Sequence, residues 1–132
     1  MTPNDITAFA ESWIAYWHTE EGSVERDELF PICELEGNLV REAPHDAWKL
    51  ILRILELDKS VQIREVLSAG PLEDLLSYHG EALIDTIETE ARANPHFAQL
   101  LGGVWQNAMP TAIWSRVQAV QDRRGWDGEP AH

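Results

Sequence analysis

The stretch "AGPLEDLLSYHG", Ala69 to Gly80, decides how the chain is read, because it sets two carboxylates and a histidine within seven residues and bounds them with glycines. As a loop it would be the best place in the sequence for catalysis. As a helix, each of its residues has a structural task. Pro71 suits a first helical turn, where its missing N–H is no loss. Glu73 and Asp74 lie beside the positive end of the helix dipole, where a carboxylate stabilises by about 0.3 to 1 kcal/mol. Leu72, Leu75 and Leu76 form one apolar stripe, His79 follows on it three residues after Leu76, and Gly80 is the residue type that ends helices in a left-handed conformation. The segment therefore reads as a helix from Pro71 to His79 stopped by Gly80. A functional alternative keeps His79 as a general base hydrogen-bonded to Asp85 or Glu88 of the next helix. Glu73, His79, Asp85 and Glu88 are its candidate residues, although no nucleophile or oxyanion donor stands with them. Ser77 and Tyr78 adjoin His79, but neighbours along a helix point in different directions.

The same signature recurs outward from this stretch. Pro3, Pro44, Pro71, Pro95 and Pro110 each precede apolar residues at helical spacing, and strand-type alternation is missing at useful length. Ile6, Phe9, Ala10, Trp13 and Trp17 share one face. Trp48, Ile51, Leu52 and Leu55 share another, which Leu50, Ile54 and Leu57 widen until the helix after Pro44 reads as central. Pro31 falls inside a helix-compatible run from Val24 to Glu42 and is expected to split it and open the second piece. The expectation is an all-α fold of seven to eight short helices in stacked antiparallel hairpins, HEAT-like or solenoid-like, without a sequence repeat. The hairpins are Pro44 to Leu57 with Val61 to Leu67, Pro71 to His79 with Glu81 to Ala93, and Pro95 to Trp105 with Pro110 to Arg124. Residues 1–124 form one domain, and 125–132, which contain glycine, proline and no periodicity, form a flexible C-terminal tail.

Composition narrows the function. The 132 residues are ordinary in hydrophobic content, 44%, and unusual in a formal net charge of −13. That field repels phosphate backbones, which argues against direct nucleic-acid binding, and favours fast association with a basic protein. Eleven acidic residues between Met1 and Asp46 face only Arg26 and Arg41, so this third carries a net −9. Within it, "HTEEGSVERDELF" gathers Glu20, Glu21, Glu25, Asp27 and Glu28 around one arginine. A charge run of this kind is either a solvated face or a docking surface for a basic partner.

The first residues carry acid where an export signal needs positive charge, and no run approaches the length of a membrane span, so a soluble, cytoplasmic protein is expected. Cys33, the one cysteine, lies among apolar residues and reads as a small core residue. His18, His45 and Asp46, with Asp85 or Asp122, could serve a helical metal-dependent phosphohydrolase. With no second metal-binding motif, and with Asp46 suited to a helix start, neither metal nor cofactor is expected. Trp13, Trp17, Trp48, Trp105 and Trp114 fall on apolar faces and read as core, Trp126 as the exception in the tail. Gly102-Gly103 lies in a helical pattern and is expected to permit close helix packing or a bend.

The block from Trp48 to Trp114, above all "AGPLEDLLSYHGEALIDTIETEARANPHFAQLLGGVW", resembles the core of a family of small bacterial proteins of unassigned function. In that family an AGPLE-x-LL-x-x-HG turn, an I-x-x-IE-x-x-A helix and a P-x-F…VW helix recur. The resemblance covers about half the chain and implies a helical domain found in bacteria. It implies no activity, and it leaves the acidic N-terminal third outside. Small size, acidity and absent catalytic motifs together point to a protein-binding module, such as an immunity or inhibitor protein that neutralises a basic effector, for example a nuclease toxin. A hydrolase using His79 or the His18, His45 and Asp46 set, and a helical scaffold or adaptor without inhibitory role, are the alternatives.

Overall fold

In the computed structural model, which describes residues 1–126, the chain is helical almost throughout, with no strand among those residues. Its elements are α1 (Pro3–Trp17), α2 (Val24–Leu29), α3 (Pro31–Glu42), α4 (Pro44–Leu57), α5 (Val61–Leu67), a π turn (Ser68–Leu72), α6 (Glu73–Ala93), α7 (Pro95–Leu101) and α8 (Thr111–Val120). Pro3, Pro31, Pro44 and Pro95 occupy first turns as expected, Pro31 splitting α2 from α3. Pro110 stands one place earlier, as the N-cap of α8.

The chain falls into two compact units, Met1–Arg64 and Glu65–His132. In the first, α4 packs against α1 and α3. Trp13 and Ala10 of α1 and Leu50, Ile51 and Ile54 of α4 are almost wholly buried, with Tyr16 joining them where the sequence pattern had pointed to the half-buried Trp17. Helices α1 and α4 run the same way. Asp46 lies 3.7 Å from the Met1 ammonium, Arg53 Nε donates to Thr7 Oγ1 over 3.1 Å, and His18 Nε2 lies 2.7 Å from Asp58 Oδ2, so the contacts advance together along both helices.

The second unit revises the reading of the AGPLEDLLSYHG stretch. Pro71 does not open a helix; it is buried inside the π turn, which passes into α6 without a break. Gly80 does not end one either. The helix runs on to Ala93, bent where His79 leaves helical geometry (φ −134°, ψ 24°), so the expected hairpin of Pro71 to His79 with Glu81 to Ala93 is one bent helix. Gly80 is instead a contact point with α8, since a Cβ there would stand 3.0 Å from Ile113 Cγ2. Helix α7 ends at Leu101, short of the expected Trp105, and α8 packs on α6.

It is the segment after α8 that lies along α7. Asp122 N donates to Ala98 O over 2.9 Å, Gln121 Nε2 to Leu101 O over 3.0 Å, and Trp126 Nε1 to Gln99 O over 2.5 Å. Gly102 and Gly103 make this approach possible, because a Cβ on Gly102 would fall 1.9 Å from the Asp122 carbonyl oxygen and one on Gly103 2.6 Å from the Trp126 ring. The tail expected over 125–132 lies outside the described residues except for Gly125 and Trp126, and Trp126 is a packed residue. Trp105, expected in the core, is 61% exposed. Cys33 is half-buried, and that burial pushes its thiol pKa up.

The two glycine contacts differ in what can yield. Gly102→Ala drives a methyl into backbone and is expected to cost about 3 kcal/mol, whereas Gly80→Ala meets the Cγ2 methyl of Ile113, which has to give by only a few tenths of an ångström, and is expected to cost about 1 kcal/mol. Urea unfolding with unchanged m-values measures both.

Candidate functional site

The acidic run folds into α2 and its approach. After α1, Thr19 Oγ1 donates to Tyr16 O over 2.5 Å, Gly22 turns the chain at φ +78°, and Ser23 caps α2 by accepting from Arg26 N over 3.1 Å. No residue of α2 is buried. What holds the helix is Arg26, whose guanidinium carbon lies 4.8 Å from the Tyr16 ring centre and 5.4 Å from that of Trp17, while Nη1 donates to Thr19 O over 3.3 Å. Phe30, at the junction with α3, adds a ring contact to Tyr16 at 6.3 Å. A cation over an aromatic face contributes about 0.5 to 1 kcal/mol at a part-exposed site.

The one arginine of the run is thus turned inward, and the acids are turned outward. Glu20, Glu21, Glu25, Asp27 and Glu28, which the sequence groups as partner-binding, are all exposed. Between and beside them stand large apolar side chains in solvent: Val24 at 71%, Phe30 at 57% and Leu35 at 54% exposure. The sequence reading saw the acids and missed these apolar neighbours. The signal was present in α2, whose lone valine and leucine cannot make a buried stripe in six residues.

Glu73, His79, Asp85 and Glu88 are not brought to one site. The Glu73 carboxylate accepts from Trp105 N over 2.9 Å and from Asn107 Nδ2 over 3.2 Å, and so fixes the loop after α7. Asp85 and Glu88 are taken by Arg116 of α8, which lies 2.5 Å from Asp85 Oδ1 and 2.5 Å from Glu88 Oε1, with Nε donating to Glu88 Oε2 over 3.0 Å. These bonds hold the Glu88 carboxyl below its ordinary pKa and raise that of the Arg116 guanidinium. His79 is half-buried at the bend of α6, beside a shallow hollow of about 270 Å³ that Tyr78 and Pro110 also line.

The residues considered for a phosphohydrolase are likewise dispersed among other partners. His18 pairs with Asp58, Asp46 faces the Met1 ammonium, Asp85 binds Arg116, Asp122 binds Arg124, and His45 is exposed. Among the described residues, no three of His, Cys, Asp and Glu gather as a metal ion would need. Asp58 is a partner the sequence did not flag. Burial raises its pKa, but hydrogen bonds from His18 and Ser60 outweigh that and leave it lowered. An aspartate holding one imidazole nitrogen orients the ring, and the pair lies between the end of α1 and the end of α4, with Ser60 bonded to the carboxylate and not to the imidazole.

Compared with known proteins, the chain matches the model of a family described as "Family of unknown function (DUF6869)" over residues 20–125. No curated protein and no solved structure matches it. The match takes in Glu20 to Glu28, so the acidic run belongs to the family's domain, not outside it as the resemblance of Trp48 to Trp114 implied.

The Arg116 clamp has a pH signature. A carboxyl whose folded pKa is lowered stabilises above its unfolded pKa and loses that contribution as pH falls through the folded value. Arg116→Gln is expected to make the loss of stability between about pH 5 and pH 3 shallower than in the wild type. Thermal melts over that range decide it: parallel pH profiles would remove the clamp from the folding energetics.

Proposed function

We propose that this chain, which belongs to the DUF6869 family, is a binding protein whose α2–α3 face docks a basic protein surface. The observation that carries the reading is the composition of that face. Five exposed carboxylates and the exposed Val24, Phe30 and Leu35 fall within one stretch, residues 20–35, and the arginine among them is committed to Tyr16 and Trp17. Carboxylates set association rate and orientation, and apolar side chains between them supply the contact that persists after encounter. Exposed large apolar groups inside a charged rim are the arrangement expected of an interface.

The finer reading is that the partner is a basic effector, such as a nuclease toxin, which the chain neutralises as an immunity or inhibitor protein. Small size and a net charge of −13 support it, since a compact acidic body competes well for a surface evolved to meet phosphate. On this reading the protein acts in the bacterial cytoplasm, with no nucleic acid of its own to bind. No helix among the described residues is long and apolar enough to cross a membrane.

The test uses a basic partner recovered from the host and measured by surface plasmon resonance across a salt series. Reversing Glu25, Asp27 and Glu28 to lysine is expected to slow association by about tenfold at low salt and flatten its salt dependence. Phe30→Ala is expected to act chiefly on dissociation. If the triple variant bound with wild-type association rate and salt slope, the face would be solvated only and the reading would fall.

A further inference from the structure

A second feature of the first unit runs against its charge. Between the start of α1 and the middle of α4 lies a groove of about 480 Å³, within the size range of small-molecule sites. Its α4 wall is a single helical face, Lys49, Leu52, Arg53 and Glu56, at spacings of three and four residues. Pro3, Ile6 and Thr7 of α1 supply the other wall. Ile6 is buried beneath it at 5% exposure, so the floor is apolar.

Of the two basic side chains on this wall, Lys49 is placed differently from the other cations. Arg26 lies on aromatic rings, Arg41 Nη2 donates to Asn38 Oδ1, and Lys59 Nζ donates to Glu56 O over 3.4 Å. Lys49 is exposed and, among the described residues, makes no hydrogen bond or ion pair. Arg53 is held by its Nε bond to Thr7 Oγ1, which fixes the guanidinium over the groove, while Nη1 reaches Glu56 Oε2 at 3.2 Å. Glu56 therefore spends its charge on Arg53, and Lys49 remains to be matched.

We infer that this groove binds a small amphipathic monocarboxylate, with the carboxylate between Lys49 and Arg53 and the hydrocarbon chain against Ile6, Leu52 and Pro3. Both parts are required. A net charge of −13 repels every anion and a dianion twice as strongly, so charge pairing alone does not retain a ligand such as phosphate. An apolar chain adds burial, which the field does not oppose. The inference is independent of the docking face, which lies on α2 and α3.

Octanoate is the probe, titrated into uniformly ¹⁵N-labelled full-length protein and followed by amide chemical shifts, with acetate and octylammonium as comparison ligands. Octanoate is expected to shift the amides of Ile6, Thr7, Lys49, Leu52 and Arg53 saturably, while acetate, lacking the chain, and octylammonium, lacking the anion, leave them in place. Lys49→Glu alters an exposed side chain with no hydrogen bond or ion pair among the described residues, so it keeps the melting temperature and is expected to weaken octanoate about tenfold. The inference is overturned if octanoate gives no saturable shift or shifts a different region. It is equally overturned if octylammonium matches octanoate, or if Lys49→Glu binds octanoate as the wild type does.

Discussion

The placement of Arg26 over Tyr16 and Trp17 is the contact on which the acidic face depends. Helix α2 is six residues long and buries none of them, so it has no core of its own to hold it. An isolated helix of that length does not persist in water, because nucleation costs more than one turn of hydrogen bonds returns. The guanidinium, its bond to Thr19 O, the Ser23 cap and the Phe30 ring contact are what replace the missing core. One contact has two consequences. It fixes the helix, and it holds the one cation of the run against the rings, away from Glu25, Asp27 and Glu28.

The other charged clusters are used differently. Glu73 holds the loop that carries Trp105, Arg116 draws Asp85 and Glu88 onto α8, and Asp122 clasps Arg124 where the chain returns along α7. Each of those carboxylates has a partner fixed by the fold, and each is spent on holding helices or loops together. Glu20, Glu21, Glu25, Asp27 and Glu28 of the first unit, by contrast, are exposed and stand in one stretch of chain with the exposed Val24, Phe30 and Leu35. That difference separates structural acid from acid available to a partner.

Much of the fold was legible because proline and apolar spacing act locally. Pro3, Pro31, Pro44 and Pro95 mark first turns by removing a donor that has no acceptor there, and the stripe of α4 had to be central because it is apolar on too many sides for a surface helix. The failures share a cause in tertiary contact. Gly80 looks like a helix stop, yet its missing Cβ serves Ile113 across the helix pair, and Pro71 sits in a π turn that local propensity does not foresee. Gly102 and Gly103 follow the end of α7 and admit not a helix but the segment after α8, because Asp122 and Trp126, some twenty residues on, reach them only through the tertiary fold. At the candidate face the acids were visible as composition. The inward turn of Arg26 and the placement of Phe30 were not, since both depend on where Tyr16 ends up.

The anchoring of α2 by the Arg26 cation is open to direct measurement by millisecond amide hydrogen exchange on Arg26→Met, which keeps an apolar stem over the rings and removes the charge. Faster exchange confined to Val24–Leu29, with the amides of α1 and α4 unchanged, is the expected result. Unaltered exchange in α2 would contradict it, because the acidic face would then be held by something other than the cation on Tyr16 and Trp17.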